Sequence, residues 1–247
     1  MRVPPIEGQI ERRLLVNYRV DPEVIAALLP SPFRPQIRDG WSVAGICLIR
    51  LGSMRPLGFP GWVGLRSENA AHRIAVEWDD PTGQRTGVYI PRRDSNSRIN
   101  STVGGRIFPG AHHRAEFRVS ESDTAMQVAF VSKDATADVD VSVRITDELV
   151  GSTLFADVSE ASDFFEQGSA GFSATGDPCR FDGLSLHTEA WKVEPAVVAA
   201  ARSSFFDDRL VFPSGSAALD CALVMRHVPV VWKPLPTMTA DQGAFPV

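Results

Sequence analysis

The chain has 247 residues, of which 44% are hydrophobic and 22% are charged, and its formal net charge at pH 7 is −5. This composition is typical of a globular protein with a full hydrophobic core. The acidic balance argues against nucleic acid as the main partner, and no apolar run approaches the roughly 20 residues of a membrane-spanning helix. The N-terminal segment lacks the apolar region of a signal peptide, so we expect a cytoplasmic protein with no membrane partner.

The first part of the chain predicts a strand, a short helix and a buried strand. Alternating apolar side chains predict a strand over residues 13–20. Asp21 followed by Pro22 is typical of a helix start, and the amphipathic helix that follows should end before Pro30. Asp39-Gly40 is a hairpin turn signal. Residues 41–51 are apolar at almost every position, which predicts a central strand buried on both faces.

The rest of the chain predicts mainly strands. Residues 52–64 are rich in glycine and proline and indicate an irregular rim loop or lid. The predicted strands cover residues 67–78, 85–93, 112–119, 125–132, 137–146, 184–193 and 219–231, and the predicted short helices cover residues 159–165 and 195–201. With no repeat and no linker, we expect one domain over residues 1–247. It should be mainly β with a few short helices, and about ten strands favour a closed or nearly closed barrel.

Cysteine and lysine are both scarce in this chain. Cys47, Cys179 and Cys221 are widely scattered and show no zinc-site spacing, and Cys47 is expected to be a small core residue. Only three of the 25 basic residues are lysines, so the chain is better supplied with groups that clamp an anion than with groups that form an imine. We expect no metal and no cofactor.

The segment from Tyr89 to Arg118 concentrates positive charge in an acidic protein. It contains six arginines and two histidines but only two acidic residues, and Gly104-Gly105 and Pro109-Gly110 interrupt it. Such a segment between two strands predicts a loop that binds a small anionic ligand. The alternative is an arginine-rich solvated loop with no ligand. The ligand-binding candidates are Tyr89, Arg92, Arg98, Asn100, Arg106 and His112.

Strand alternation selects the candidate catalytic residues. It places Arg92 and Asp94 on the same face as Val88 and Ile90. The same reasoning puts His72 and His113 at the ends of apolar strand faces. Asp94, His113 and His72 are therefore candidates for acid–base catalysis beside a bound anion. The alternatives are that Asp94 only pairs with Arg92 or Arg98, or that His72, His112 and His113 form a metal site.

Two segments resemble known families. LLVNYRVDPEVIAALLP, residues 14–30, resembles the N-terminal strand and helix of acetoacetate decarboxylase-like proteins. GVYIPRRDSNSRINSTVGGRIFPGAHHRAEF, residues 87–117, is similar to the YqjF-like branch near that superfamily. The resemblance covers about residues 13–232. It implies a mainly antiparallel β-barrel with a ligand pocket inside, and it implies a homo-oligomer.

The resemblance also implies what this chain lacks. Decarboxylases of this fold form a Schiff base through a lysine in a Tyr-Pro-Lys-Lys segment, and the matching segment here is Phe108-Pro109-Gly110-Ala111. Two hypotheses follow. One is a lysine-independent enzyme of lyase, hydratase or isomerase type that acts on a small oxo- or carboxylate-bearing molecule. The other is a non-catalytic module that binds a small organic anion.

Overall fold

The computed structural model describes residues 4–97 and 110–240, and strands make up most of them. The helices are α1 (Pro22–Leu28) and α2 (Val158–Gln167), with one 3-10 turn at Gly61–Val63. The strands are β1 (Ile6–Val20), β2 (Arg34–Pro35), β3 (Ile37–Arg38), β4 (Trp41–Pro56), β5 (Leu65–Asp80), β6 (Gly83–Ser95), β7 (His112–Glu121), β8 (Ala125–Ser132), β9 (Asp138–Ile145), β10 (Ala170–Ala174), β11 (Arg180–His187), β12 (Glu194–Ser203), β13 (Ala217–Pro234) and β14 (Met238–Thr239).

The strands form one sheet that closes on itself in two rings. One ring runs β6–β7–β8–β9–β12–β13–β1–β4–β5, and the β5–β6 pairing closes it. The other ring runs β6–β10–β11–β13–β1–β4–β5, because β11 also pairs with β13. The β6–β7 and β6–β10 pairings are parallel, and the other pairings are antiparallel. The mainly β class is thus confirmed, and the closed rings match the expectation of a barrel.

Strands β1, β4, β5, β6 and β13 belong to both rings, which explains why their buried parts are apolar on both faces. In β1, Leu14 and Val16 face one core cluster while Leu15 faces another. In β4, Ile46 and Leu48 alternate with Cys47 in the same way. Each face of these strands meets a different hydrophobic interior. The strands therefore lack the alternation of apolar and polar residues that is typical of a strand with one solvent-exposed face. The prediction of a buried central strand from residue 41 is confirmed.

Several local predictions are confirmed, and two fail. Helix α1 begins after Asp21, whose side chain accepts a hydrogen bond from the Glu23 backbone N–H at 2.9 Å. The helix predicted over residues 195–201 is wrong, because this segment is strand β12, paired with β9 and β13. It pairs with β13 at residues 194–196 and with β9 at residues 196–203, and this pairing outweighs the helical preference of an alanine-rich run. Residues 52–56, expected to be irregular, continue strand β4.

Within the described residues, no helix is long and apolar enough to cross a membrane.

Candidate functional site

A β-bulge in β6 decides which side chains face the site. Tyr89 lies opposite Ile74 and Arg92 lies opposite His72, so three steps along β6 match two along β5. Such an extra residue reverses the alternation of the bulged strand. Arg92 therefore shares a face with Tyr89, while Arg93 shares the other face with Ile90. The alternation-based prediction that Arg92 and Asp94 are on the face of Val88 and Ile90 is wrong for this reason.

A partly open cavity of roughly 120 Å³ lies within the ring that contains β10 and β11. Its walls are mostly apolar, with Ile49 and Leu51 from β4, Ile90 from β6 and Leu184 from β11. Helix α2 contributes Phe165 to the lining. The polar side chains are concentrated on one group of strands. They are Arg13, Asn69, Arg73, Arg93, Asp94 and His112.

The three arginines of the cavity wall, which we call the arginine triad, are Arg13, Arg73 and Arg93. Arg13 Nε donates to Cys47 Sγ at 3.4 Å, and its guanidinium lies 5.8 Å from the centre of the Trp191 ring. Arg93 Nε donates to Ser173 Oγ at 2.9 Å. Arg73 donates to Asn17 Oδ1 and lies 4.6 Å from the centre of the Phe165 ring. Arg73 is only 3% exposed.

The arginine triad has no carboxylate partner within salt-bridge distance in the described part of the chain. Arg73 Nε and Arg13 Nη1 are buried and find no hydrogen-bond acceptor there. Burial lowers the pKa of Arg73 to about 10, and the positive charge of Arg13 acts in the same direction. Burial likewise lowers the pKa of Arg93 to about 10. Both groups remain charged at neutral pH, so this wall carries positive charge that only a ligand or solvent can compensate.

Asp94 also contributes to the lining, but its carboxylate is already paired. Arg92 donates to it twice, from Nε to Oδ2 at 2.8 Å and from Nη2 to Oδ1 at 2.9 Å. Asp94 is fully buried, which raises its pKa, and Arg92 counteracts that rise. Arg92 extends the cluster to Thr136 and Asp134. The predicted alternative, a pair between Asp94 and Arg92, is therefore present in the structure.

The three candidate histidines lie in different environments. His112 lines the cavity, and burial together with the charge of Arg93 lowers its pKa to about 3. His113 Nδ1 lies 2.6 Å from Asp134 Oδ2, and its side chain is 39% exposed. His72 is 1% exposed and its ring centre lies 5.0 Å from that of Phe205, in the other interior. No group of three metal-binding side chains occurs in the described ranges.

The remaining predicted ligand-binding residues lie elsewhere. Tyr89 is buried among aromatic rings, with Phe33 and Phe181 5.5 and 5.9 Å from it, centre to centre. Burial raises the pKa of its hydroxyl. Arg98, Asn100 and Arg106 lie outside the described residues. Of the predicted ligand-binding residues that the structure describes, His112 lines the cavity, whereas Tyr89 and Arg92 do not. Arg93, the residue after Arg92, lines it instead.

Sequence reasoning missed Arg13 and Arg73, because it searched one segment rich in arginine. Arg13 follows Glu11 and Arg12 in β1 and does not stand out in the sequence, whereas Arg73 lies in a buried stretch of β5. In β5, Arg73 lies between His72 and the apolar residues from Ile74, all of them buried. The sequence signal for Arg73 was a charged residue within a strand segment that has no solvent-exposed face. Such a buried charge must be paired or functional.

The family model that matches this chain describes uncharacterised conserved proteins and covers residues 8–223. The chain belongs to this family, DUF2071. A comparison with curated proteins gives no match. Among solved structures, acetoacetate decarboxylase from Legionella pneumophila is 11% identical with a TM-score of 0.63, over 98% of this chain and 90% of that one.

Two further solved structures give the same result for this DUF2071 protein. The enduracididine biosynthesis enzyme MppR, complexed with pyruvate, is 11% identical with a TM-score of 0.61, over 96% of this chain and 92% of that one. An acetoacetate decarboxylase-like enzyme from Sphingomonas wittichii is 12% identical with a TM-score of 0.57, over 98% and 94%. At these identities the likeness establishes the acetoacetate decarboxylase-like fold and nothing about activity.

Proposed function

We propose that this protein binds a small organic carboxylate in the cavity and acts on it without forming a Schiff base. The observation that carries the proposal is the arginine triad, three guanidinium groups in an apolar wall with no carboxylate partner in the described structure. A guanidinium presents a planar fork of donors that matches a carboxylate. An anion in the cavity would compensate the charge and accept from the free Arg73 Nε.

The cavity volume limits the ligand to a small molecule. At roughly 120 Å³ it equals about four water molecules at their share of liquid volume, roughly 30 Å³ each. The apolar walls leave room for a short carbon chain beside the charged end. A 2-oxo or 3-oxo acid of a few carbon atoms meets both requirements. MppR, which has this fold, is named as a complex with pyruvate, and this supports the choice of ligand class.

Lysine-independent chemistry is favoured by the positions of the lysines. None of the three lysines is among the residues that line the cavity in the described structure. His112 is the polar group beside Arg93 that can exchange a proton with a bound oxo acid. At neutral pH it is uncharged, because burial lowers its pKa to about 3. The resulting activity would be of lyase, hydratase or isomerase type.

The second candidate function is binding without turnover, and the state of Asp94 favours it. Arg92 occupies both carboxylate oxygens of Asp94. A carboxylate held in a bidentate pair is a weaker proton acceptor than a free one. If His112 does not move a proton, the cavity retains an anion and does no chemistry.

Calorimetric titration with pyruvate tests the binding site. Replacing Arg93 with glutamine removes one guanidinium from the cavity and should weaken binding by about 10- to 100-fold, which corresponds to the roughly 1.5–3 kcal/mol of a hydrogen bond to a charged group. The matched control is Arg85→Gln on the same strand, where Arg85 is half-exposed and pairs with Asp80. This control should bind pyruvate within about twofold of the unmodified protein. Equal effects of the two substitutions would contradict the proposed site.

Proton NMR of pyruvate in D2O separates the two functions. An enzyme that removes a proton beside the carbonyl should replace the methyl protons with deuterium faster than buffer does, and His112→Gln should slow the exchange more than it weakens binding. A binding module should show affinity for pyruvate with the exchange rate of buffer. That result would retain the site and reject the catalytic proposal.

A further inference from the structure

Cys47 lies at the centre of the charged wall of the cavity. On one side of it, β1 carries Arg13, which pairs with Ile49, two residues along β4. On the other side, β5 carries Arg73, which pairs with Gly45, two residues in the opposite direction. Arg93 on β6 is level with Cys47, through Ala71 of β5. Arg13 and Arg73 are diagonal neighbours of Cys47, about 7–8 Å away on the same sheet face. Arg93 lies two strands away at the same level.

The contacts of Cys47 differ from those of a cysteine that only fills space. Its sulfur lines the cavity and accepts a hydrogen bond from Arg13 Nε at 3.4 Å. The nearby Arg73 side chain is almost fully buried, and its Nε has no acceptor in the described residues. This free donor in the same wall independently indicates a ligand beside the sulfur. Cys47 is the strongest nucleophile among the side chains known to line the cavity.

Cys221 and Cys179 provide the comparison within the same chain. Cys221 lies outside the cavity lining and accepts a hydrogen bond from the neutral Asn17 Nδ2 at 3.4 Å. Burial raises the pKa of its thiol to about 12. Cys179 is partly exposed and lies outside the described strands. Cys47 and Cys221 are both buried, 7% and 5% exposed, so burial does not separate them. Electropositive surroundings favour a reactive cysteine. Only Cys47 of the three lies among several arginines.

We propose that Cys47 is a nucleophile that adds reversibly to the carbonyl carbon of a 2-oxo acid bound by the arginine triad. The sulfur–carbon bond forms while the carbonyl π bond breaks, and the electron pair moves to the oxygen. The thiol proton is transferred to that oxygen, which gives a neutral thiohemiketal and requires no other reactant. The positive wall would hold the carboxylate and stabilise negative charge on sulfur and oxygen during the addition. This inference rests on the proposed carboxylate site.

The alkylation rates of the three cysteines with a charged and a neutral reagent test the inference. The protein is treated separately with iodoacetate and iodoacetamide, and peptide mass spectrometry follows each cysteine with time. Iodoacetate carries a carboxylate and iodoacetamide does not, so the arginine triad should concentrate only the first. The cavity is partly open and shares the lining residues Ser169 and Leu186 with a wider cleft, so we expect small reagents to reach it. The ratio of the iodoacetate rate to the iodoacetamide rate should be at least tenfold higher at Cys47 than at Cys179.

An arginine variant and a ligand serve as controls. Arg93→Gln should lower the iodoacetate rate at Cys47 at least fivefold and change the iodoacetamide rate less than twofold, while Arg85→Gln should change neither. Pyruvate should slow both reagents at Cys47 only. The inference is overturned if Cys47 is not alkylated in the folded protein, or if its rate ratio equals that of Cys179.

The failure of this inference is distinguishable from failure of the carboxylate site. If pyruvate binds and Arg93→Gln weakens it, while Cys47 shows no selective alkylation, the site stands and the nucleophile is rejected. If pyruvate does not bind and iodoacetate shows no preference, both proposals fail. With [2-13C]pyruvate, a tetrahedral carbon signal distinct from that of free pyruvate hydrate should appear with the unmodified protein and be absent with Cys47→Ser.

Discussion

Replacing Arg92 with glutamine should lower the free energy of unfolding by about 3 kcal/mol, and this loss should depend on Asp94. Arg92 donates twice to the fully buried Asp94 carboxylate. Hydrogen bonds to charged groups contribute about 1.5–3 kcal/mol each, and breaking a buried pair by removing one partner costs about 3–5 kcal/mol. The Arg92 side chain is 19% exposed, so solvent reaches part of the pair and the lower end of this range applies.

The loss should also depend on pH, in a direction that the position of Asp94 determines. Burial raises the pKa of Asp94, and removing Arg92 should raise it further. An ionised carboxylate with a raised pKa in the folded state lowers stability, and this cost disappears once the group is protonated in both states. The effect of Arg92→Gln should therefore be largest near pH 7. It should shrink as the pH falls through the folded-state pKa towards the unfolded value of about 3.9.

Urea unfolding followed by tryptophan fluorescence measures these quantities in a double-mutant cycle with Asp94→Asn. In the Asp94→Asn background, Arg92→Gln should cost less than about 1 kcal/mol, because no buried charge is left unpaired. Arg85→Gln is the matched control, since its partly exposed pair with Asp80 should contribute about 0–1 kcal/mol. A cost of Arg92→Gln that is the same with Asp94 and with asparagine would refute the reasoning.

The remaining predictions concern acid stability, imine formation and assembly. Burial lowers the pKa of His72 from 6.5 to about 4. Below pH 6.5 the unfolded chain therefore binds a proton that the folded protein does not, and the free energy of unfolding should fall by up to about 3 kcal/mol as the pH drops towards 4. His72→Leu should remove that part of the pH dependence in urea unfolding, and equal pH dependence in both proteins would argue against it. Acetoacetate with borohydride should leave the protein mass unchanged, because no lysine is among the described residues that line the cavity; a stable lysine adduct in the mass spectrum would reject the imine-free proposal. Light scattering should give a mass above the 26.9 kDa of one chain, since Phe59 and Trp62 are 56% and 86% exposed, and a monomer mass at micromolar concentration would count against it.

The location of the proposed anion site illustrates how one extra residue in a strand can change which arginine is assigned to it. The bulge in β6 exchanges the faces of Arg92 and Arg93, which are adjacent in sequence and similar in chemistry. One of them stabilises a buried carboxylate, and the other lines the cavity. The two substitutions therefore should have separate readouts, with stability lost at Arg92 and affinity lost at Arg93.

Much of the fold could be predicted from the sequence alone, because its signals are local. Alternation and unbroken apolar runs identified the longer strands, and Asp21-Pro22 identified the start of α1. The apolar residues at almost every position of 41–51 predicted a central strand buried on both faces. The resemblance of residues 87–117 to the YqjF-like branch agrees with the DUF2071 match, and the superfamily fold is confirmed by its solved neighbours.

Only the tertiary structure decided which side chains meet. The arginine triad comes from positions 13, 73 and 93, and only the registers of the β1–β4, β4–β5 and β5–β6 pairings bring them to one wall of the cavity. The bulge is likewise a property of the β5–β6 pairing and is invisible in the alternation of β6 alone. Residues 195–201 became a strand because neighbours on both sides supplied hydrogen bonds. Local propensity determines elements, whereas register and strand order determine which charges share a cavity.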